Sequence, residues 1–119
     1  MKQRDVRVYL YDIVQAAITL QDFARDRTLA DYEHSLLLRS AIERQFITIG
    51  EALNQALRVS PELEHRISNA QRIIGFRNRL IHGYALIDHD IVWHALQVDL
   101  PVPRHEVSAL LDELDQAEE

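Results

Sequence analysis

Four side chains that can bind a charged or polar ligand, or exchange a proton with it, lie within eight residues of this chain. Arg77 and Asn78 begin the stretch, and His82 comes five residues after the arginine. Tyr84 ends it. Arg presents a fixed, forked cation that suits phosphate oxygens, and His is the side chain that most readily exchanges protons near neutral pH. These residue types indicate chemistry at a phosphate ester.

The charge around this stretch runs against that of the whole chain. The 119 residues carry a net charge of −6, but the segment 65–87 has four Arg, two His and no Asp or Glu. Five of the 19 acidic residues lie in the last eight positions, which leaves residues 1–111 with a net charge of −1. The body of the chain can therefore hold a site for an anion.

A helix through the stretch decides which of these side chains can act together. Successive helical residues turn by 100° and rise by 1.5 Å, so Arg77 and His82 lie about 140° apart around the axis and about 7.5 Å apart along it. Asn78 and His82 are four residues apart and share a face, so Asn78 is expected to orient the imidazole or to help bind its substrate. Gly83 is the expected C-terminal stop of this helix.

Metal-free cleavage of RNA is the reaction that these groups suit. In it the ribose 2′-hydroxyl attacks the adjacent phosphate, charge builds on the phosphoryl oxygens, and both a base and an acid are needed. Arg77 would neutralise the charge, but the motif of one chain supplies one His. A symmetric dimer with two facing motifs would supply both proton-transfer groups. On residue types alone, an Arg and a His near a helix end are more commonly surface residues or C-caps than parts of a site.

Other candidate residues carry weaker signals. Glu51 is a candidate to approach and orient His82, and equally a candidate partner for an ion pair. Arg79 would widen a phosphate-binding surface or serve as a plain surface charge. No pair of His residues has metal-ligand spacing, and Asp88-His89-Asp90 is better explained as a helix cap, so no cofactor is expected.

The remaining sequence predicts the helices that position the motif. Apolar residues recur at three- and four-residue steps and no segment alternates convincingly, so we expect an all-α antiparallel bundle of about five helices. Gly50, inside a long predicted helix, indicates a close helix crossing, because Gly there costs about 1 kcal/mol relative to Ala. Helices are expected at 5–26, 32–58, 60–67, 69–82 and 88–98, with a last amphipathic piece near 107–114.

Local signals predict where these helices begin and end. Thr28, Ser60, Ser68 and Asp88 are the expected N-terminal caps. Leu100-Pro101-Val102-Pro103 is expected to break or kink the fifth helix. From about residue 112 the acidic C-terminal segment is expected to fray.

Composition limits the class of protein. A chain of 119 residues is expected to form a single domain, 1–119, with its own core. It contains no Cys, so neither disulfides nor thiol chemistry applies. There is no apolar run of about 18 residues and no secretory pattern at the N-terminus, so we expect no membrane association and a cytoplasmic location.

The pattern Arg77-Asn78-x-x-x-His82-x-Tyr84 resembles the signature of the HEPN superfamily, and most closely that of its HepT-type toxins. The upstream Gly50-Glu51 and the downstream Val92-Trp93 resemble the same family, over nearly the whole chain. The resemblance implies a helical bundle that forms a homodimer or a larger assembly. Its two Arg–His pairs would line the dimer cleft and cleave RNA without a metal.

The resemblance also implies a protein partner. This is an antitoxin of the minimal nucleotidyltransferase, or MntA, type, which would transfer AMP from ATP onto Tyr84 and so silence the nuclease. AMP would add a bulky anion where the substrate phosphate should bind. Two non-enzymatic alternatives stay open: a nucleotide- or partner-binding subunit of a nucleotidyltransferase complex, and a purely structural dimerisation module.

Overall fold

The computed structural model describes residues 5–83 and 87–118. These ranges contain no β-strand, which confirms the all-α class, and none of their helices is long and apolar enough to cross a bilayer. They hold six α-helices where about five were expected: α1 Val6–Ala24, α2 Leu29–His34, α3 Leu36–Val59, α4 Ala70–His82, α5 His89–His94 and α6 Pro101–Ala117. A 3-10 turn covers Pro61–His65, and a π-helical segment covers Ala95–Asp99.

Helix α3 is the centre of the fold. It packs against α1, α2 and α4, and α1 packs in turn against α6. Its buried side chains recur at steps of three and four residues and so form one stripe: Ile42, Phe46, Ile49, Leu53 and Ala56. Burying each large apolar side chain contributes about 1.5–3 kcal/mol. The stripe therefore makes α3 the support on which α4 is held.

The long helix predicted over 32–58 is divided near its start. Thr28 forms the predicted capping box, since its hydroxyl accepts from the Asp31 N–H while the Asp31 carboxylate accepts from the Thr28 N–H. The short α2 then ends, because Ser35 is extended. The Ser35 hydroxyl accepts from the Leu38 N–H at 3.1 Å and so caps a new helix. The single helix expected there is two helices, α2 and α3.

Neither of the two serines expected to cap the helices before and at α4 makes a side-chain capping bond. Ser60 stands at the start of the 3-10 turn but makes no side-chain cap bond. The prediction for Ser68 was wrong, because its N–H and its hydroxyl both donate to the Glu106 carboxylate of α6, at 2.8 and 2.9 Å. Asn69 occupies the cap position of α4 with a left-handed backbone, φ 62°. The start of α4 is thus tied to α6 by a tertiary contact.

The C-terminal region is more regular than expected. The fifth helix does end at the prolines, but Pro101 also begins α6, where a missing N–H costs nothing. In the segment from about 112, where fraying was expected, α6 continues to Ala117. Glu113 accepts from Arg66 at 2.9 Å, and Arg7 of α1 pairs with Glu118 at 2.6 Å. These ion pairs hold the acidic end of the chain against the bundle.

Candidate active site at the crossing of α3 and α4

The crossing of α3 and α4 fixes the position of Arg77. Gly50 of α3 lies directly against it: a Cβ on Gly50 would overlap the Cβ of Arg77 and lie 2.8 Å from its Cγ. The same Cβ would be 3.4 Å from the carbonyl oxygen of Ile73. Only a residue without a side chain lets the stem of Arg77 lie on α3. The close crossing predicted at Gly50 is therefore confirmed.

The guanidinium of Arg77 is held by two neighbours. Its Nη2 donates to Oε2 of Glu51, and its Nη1 donates to Oδ1 of Asn78 at 2.7 Å. The Arg77 side chain is 23% exposed and that of Glu51 is 46% exposed, so the ion pair is partly shielded from water. The buried Nε of Arg77 has no hydrogen-bond partner among the residues described. Glu51 and Asn78 therefore orient the cation, and each terminal nitrogen of Arg77 has a second N–H besides the one that makes this bond.

His82 is the last residue of α4 and is exposed. The predicted stop at Gly83 is confirmed, since its N–H donates to the carbonyl of Arg79 at 2.7 Å. Within residues 5–83 and 87–118, no side-chain hydrogen bond joins His82 to Asn78 or to Glu51. Both of these residues act on Arg77. The imidazole of His82 is left open to solvent or to a ligand.

The acid-free segment 65–87 is less basic in the fold than in the sequence. Acidic residues from other helices pair with three of its four arginines: Arg66 with Glu113, Arg72 with Asp99 and Arg77 with Glu51. Arg79 is exposed and has no ion pair or hydrogen-bonded side-chain partner in the part of the chain that the structure describes. Positive charge available to an anion is therefore concentrated at Arg79 and at the shared cation of Arg77.

Tyr84, the residue predicted to receive AMP, follows Gly83 and lies outside the described residues. The site described consists of a cation, its two neighbours and the exposed imidazole of His82. Among the described residues, no group of three His, Asp or Glu is arranged to hold a metal ion.

A second feature was missed by the sequence reasoning. A cleft of about 570 Å³ lies between α4 and the α5 region, and we call it the α4–α5 cleft. Its principal lining residues are Arg72, Gly75, Phe76 and Arg79 on α4, with Phe46 at its floor and Asp90, Ile91, His94 and Asp99 on the opposite side. The four residues of α4 recur at steps of three and four, which is the signal that identifies one helix face.

The all-α fold and an Arg–His motif at the C-terminal end of the amphipathic helix α4 are the features of a protein of the HEPN type. Residues 13–110 match the family model described as Ribonuclease HepT-like. The match covers most of the chain, so this protein belongs to the HepT-like ribonuclease family, and the resemblance read from the motif is confirmed.

Individual relatives agree with the family match. The chain is 30% identical over 109 residues to MJ1380 of Methanocaldococcus jannaschii, provisionally named an RNase, covering 90% of this chain and 97% of that protein. A Thermococcus cleftensis protein provisionally named ribonuclease HepT is 28% identical, over 83% of this chain and 89% of its own. TTE0752 of Caldanaerobacter subterraneus, also provisionally named an RNase, is 26% identical, over 88% and 93%. No solved structure matches the chain.

Proposed function

We propose that this protein is a metal-independent endoribonuclease toxin that acts as a homodimer in the cytoplasm, where its RNA substrate is found. The observation that carries the proposal is the fixed position and orientation of the Arg77 side chain. Its stem is fixed by Gly50, its guanidinium is oriented by Glu51 and Asn78, and the same helix presents an exposed His82. Membership of a ribonuclease family supports RNA as the substrate.

The proposed reaction has two proton transfers, and a different imidazole carries out each of them. His82 takes the proton of the ribose 2′-hydroxyl as its oxygen attacks the neighbouring phosphorus. His82 of the partner subunit donates a proton to the 5′-oxygen as the P–O5′ bond breaks. The products are a 2′,3′-cyclic phosphate and a free 5′-hydroxyl. Arg77 stabilises the charge that develops on the phosphoryl oxygens.

Glu51 and Asn78 serve this reaction by positioning Arg77. A cation that is already oriented before the substrate binds loses little conformational freedom when the transition state forms. More of its electrostatic attraction therefore stabilises the transition state. The Glu51 carboxylate also competes with substrate phosphate for the same guanidinium. The substrate must therefore share Arg77 with Glu51 or displace that carboxylate.

The proposed control of the enzyme is AMP transfer to Tyr84 by a nucleotidyltransferase antitoxin of the MntA type. Tyr84 is two residues from His82 in the sequence, so an AMP group there adds an anion close to the imidazole. Co-expression with the genomic neighbour and measurement of intact mass tests this. We expect increments of AMP that disappear in Tyr84→Phe, and an unmodified wild-type protein would contradict the proposal.

The toxin activity is tested by expressing the chain without a partner and following growth and RNA integrity. Arg77→Ala and His82→Ala are expected to preserve both, whereas the wild type degrades RNA and slows growth. Circular dichroism of each purified protein checks that it is folded. Equal RNA integrity in three folded proteins would sink the proposal, and tight nucleotide binding without cleavage would favour the non-catalytic subunit.

A further inference from the structure

The α4–α5 cleft combines an apolar interior with a polar rim. The rings of Phe46 and Phe76 meet edge to face at its floor, with centroids 5.1 Å apart, and Ile91 faces them from α5. Its volume of about 570 Å³ falls within the range of roughly 300–1,000 Å³ that is usual for small-molecule sites. The floor can therefore accept a flat apolar ring.

The charges on the rim are mixed. Nε of Arg72 lies 3.6 Å from Oδ2 of Asp99, so these two groups neutralise each other. Across the described ranges, neither Arg79, the carboxylate of Asp90 nor the ring of His94 has a side-chain hydrogen bond or ion pair. The rim thus offers a cation, a hydrogen-bond acceptor and an imidazole at once.

This combination selects among the possible occupants. A bare phosphate would pair with Arg79 but would leave the apolar floor empty and the Asp90 carboxylate without a hydrogen-bond donor. An apolar helix from another protein would bury Arg79, Asp90 and His94 without partners, which is costly. A nucleotide supplies a phosphate for the cation, a ring for the floor, and amino or hydroxyl donors for the carboxylate.

The cleft lies beside the catalytic imidazole around α4. Arg79 and His82 are three residues apart, so they are neighbours on the helix surface, about 60° apart. Arg79 lines the cleft, and both side chains are exposed. An RNA strand with its reacting phosphate at His82 can therefore continue across Arg79 into the cleft.

We propose that the α4–α5 cleft is a subsite for a nucleotide next to the cleaved linkage of single-stranded RNA. The base lies against Phe76 and Ile91, a backbone phosphate pairs with Arg79, and Asp90 accepts a hydrogen bond from an amino or ribose hydroxyl group. The inference rests on the proposed ribonuclease function and adds a binding position to it. Stacking on an apolar floor suits any base, so the subsite favours single strands over duplexes.

Gly75 provides a way to close the cleft without disturbing the core. It lies on the exposed side of α4, and a Cβ placed on it would meet no atom within 4 Å. Gly75→Phe therefore places a ring in the cleft, and Gly75→Ala is its matched control. Both are made in a His82→Ala background, and binding of a fluorescent single-stranded RNA of about eight nucleotides is measured by anisotropy. We expect Gly75→Phe to bind about tenfold more weakly than Gly75→Ala, the loss of one stacked base.

The contribution of Arg79 is measured through the salt dependence of the same affinity. Loss of one contact to a single-stranded phosphate lowers the slope of log K against log salt by about 0.7. We expect this change for Arg79→Ala but not for Arg58→Ala, which removes an exposed arginine from the far end of α3. Equal slopes for the two folded variants would remove Arg79 from the subsite.

The outcomes separate the subsite from the ribonuclease function. Equal RNA affinity of folded Gly75→Phe and Gly75→Ala overturns the subsite, even if the wild type cleaves RNA. Weaker binding by Gly75→Phe supports the subsite, even if the wild type proves unable to cleave. A folded protein that binds no RNA at all contradicts both.

Discussion

Arg77 is the residue on which structure and proposed chemistry meet. Its stem packs on Gly50 and its charge is matched by Glu51, so the same side chain helps join α3 to α4 and presents a cation. The motif indicated Arg77 as a candidate site residue. It could not predict the partner, because Glu51 reaches Arg77 only through a crossing between segments 26 residues apart.

Competition between Glu51 and substrate gives a prediction at the residue scale. Glu51→Gln removes a carboxylate from the guanidinium while keeping the shape of the side chain. A partly exposed ion pair is worth about 0.2–1 kcal/mol, so RNA should bind up to about fivefold more tightly. Binding is measured in a His82→Ala background to prevent cleavage.

The matched control for this prediction is Glu113→Gln. It removes a carboxylate paired with Arg66, a cation outside the motif, and should leave RNA affinity unchanged. Weaker binding by Glu51→Gln than by the control would show that Glu51 chiefly orients Arg77 and does not compete with the substrate.

At the scale of helices, the crossing of α3 and α4 can be tested by two glycines in different surroundings. Gly50→Ala forces a Cβ against Arg77 and should lower the free energy of unfolding by about 1–3 kcal/mol. Gly75→Ala meets open space and should raise it by up to about 1 kcal/mol, because Ala favours the helix. Urea unfolding measures both, and a Gly50→Ala protein as stable as Gly75→Ala would contradict the close crossing.

The junction of α2, α3 and α5 predicts a dependence of stability on pH. Tyr32 is fully buried, donates to Glu43 at 2.9 Å and packs edge to face on His89. Burial, followed by the neighbouring Glu43 carboxylate, raises the pKa of the Tyr32 hydroxyl well above its usual value. The neutral hydroxyl is thus favoured in the fold, and its stabilising effect is complete below about pH 10 and is lost above it.

We therefore expect the free energy of unfolding to fall above about pH 10, by up to about 1.4 kcal/mol per pH unit from this group. Tyr32→Phe should reduce that slope, while costing about 1 kcal/mol at neutral pH through the lost hydrogen bond. Urea titrations at several pH values measure both terms. Identical alkaline slopes for the two proteins would show that Tyr32 does not control this loss.

Helix boundaries were predictable where the signal is local and less so where a distant residue decides. The capping box at Thr28 and the stop at Gly83 follow from neighbouring residues, and both formed as predicted. The cap at Ser35 was missed, because the spacing of apolar residues does not distinguish a serine inside a helix from a serine at a helix cap. Ser68 is held by Glu106 of α6, a contact that no local spacing contains.

At the scale of the whole molecule, the proposed site is complete only in a dimer, because one chain supplies one His82. If both imidazoles are needed, mixing wild type with excess His82→Ala and allowing subunits to exchange yields mostly inactive pairs. Activity should then follow the square of the wild-type fraction. Activity in simple proportion to that fraction would mean that each subunit cleaves alone.

The central claim is that Arg77 and His82 cleave RNA without a metal. The most direct test is cleavage of a single-stranded RNA by the purified protein in EDTA, with Arg58→Ala as the control for loss of an exposed charge. We predict a 2′,3′-cyclic phosphate product and a loss of kcat/KM of about 100-fold or more in folded Arg77→Ala and His82→Ala. Wild-type rates in either folded variant, or no cleavage by the wild type in EDTA, would contradict the account.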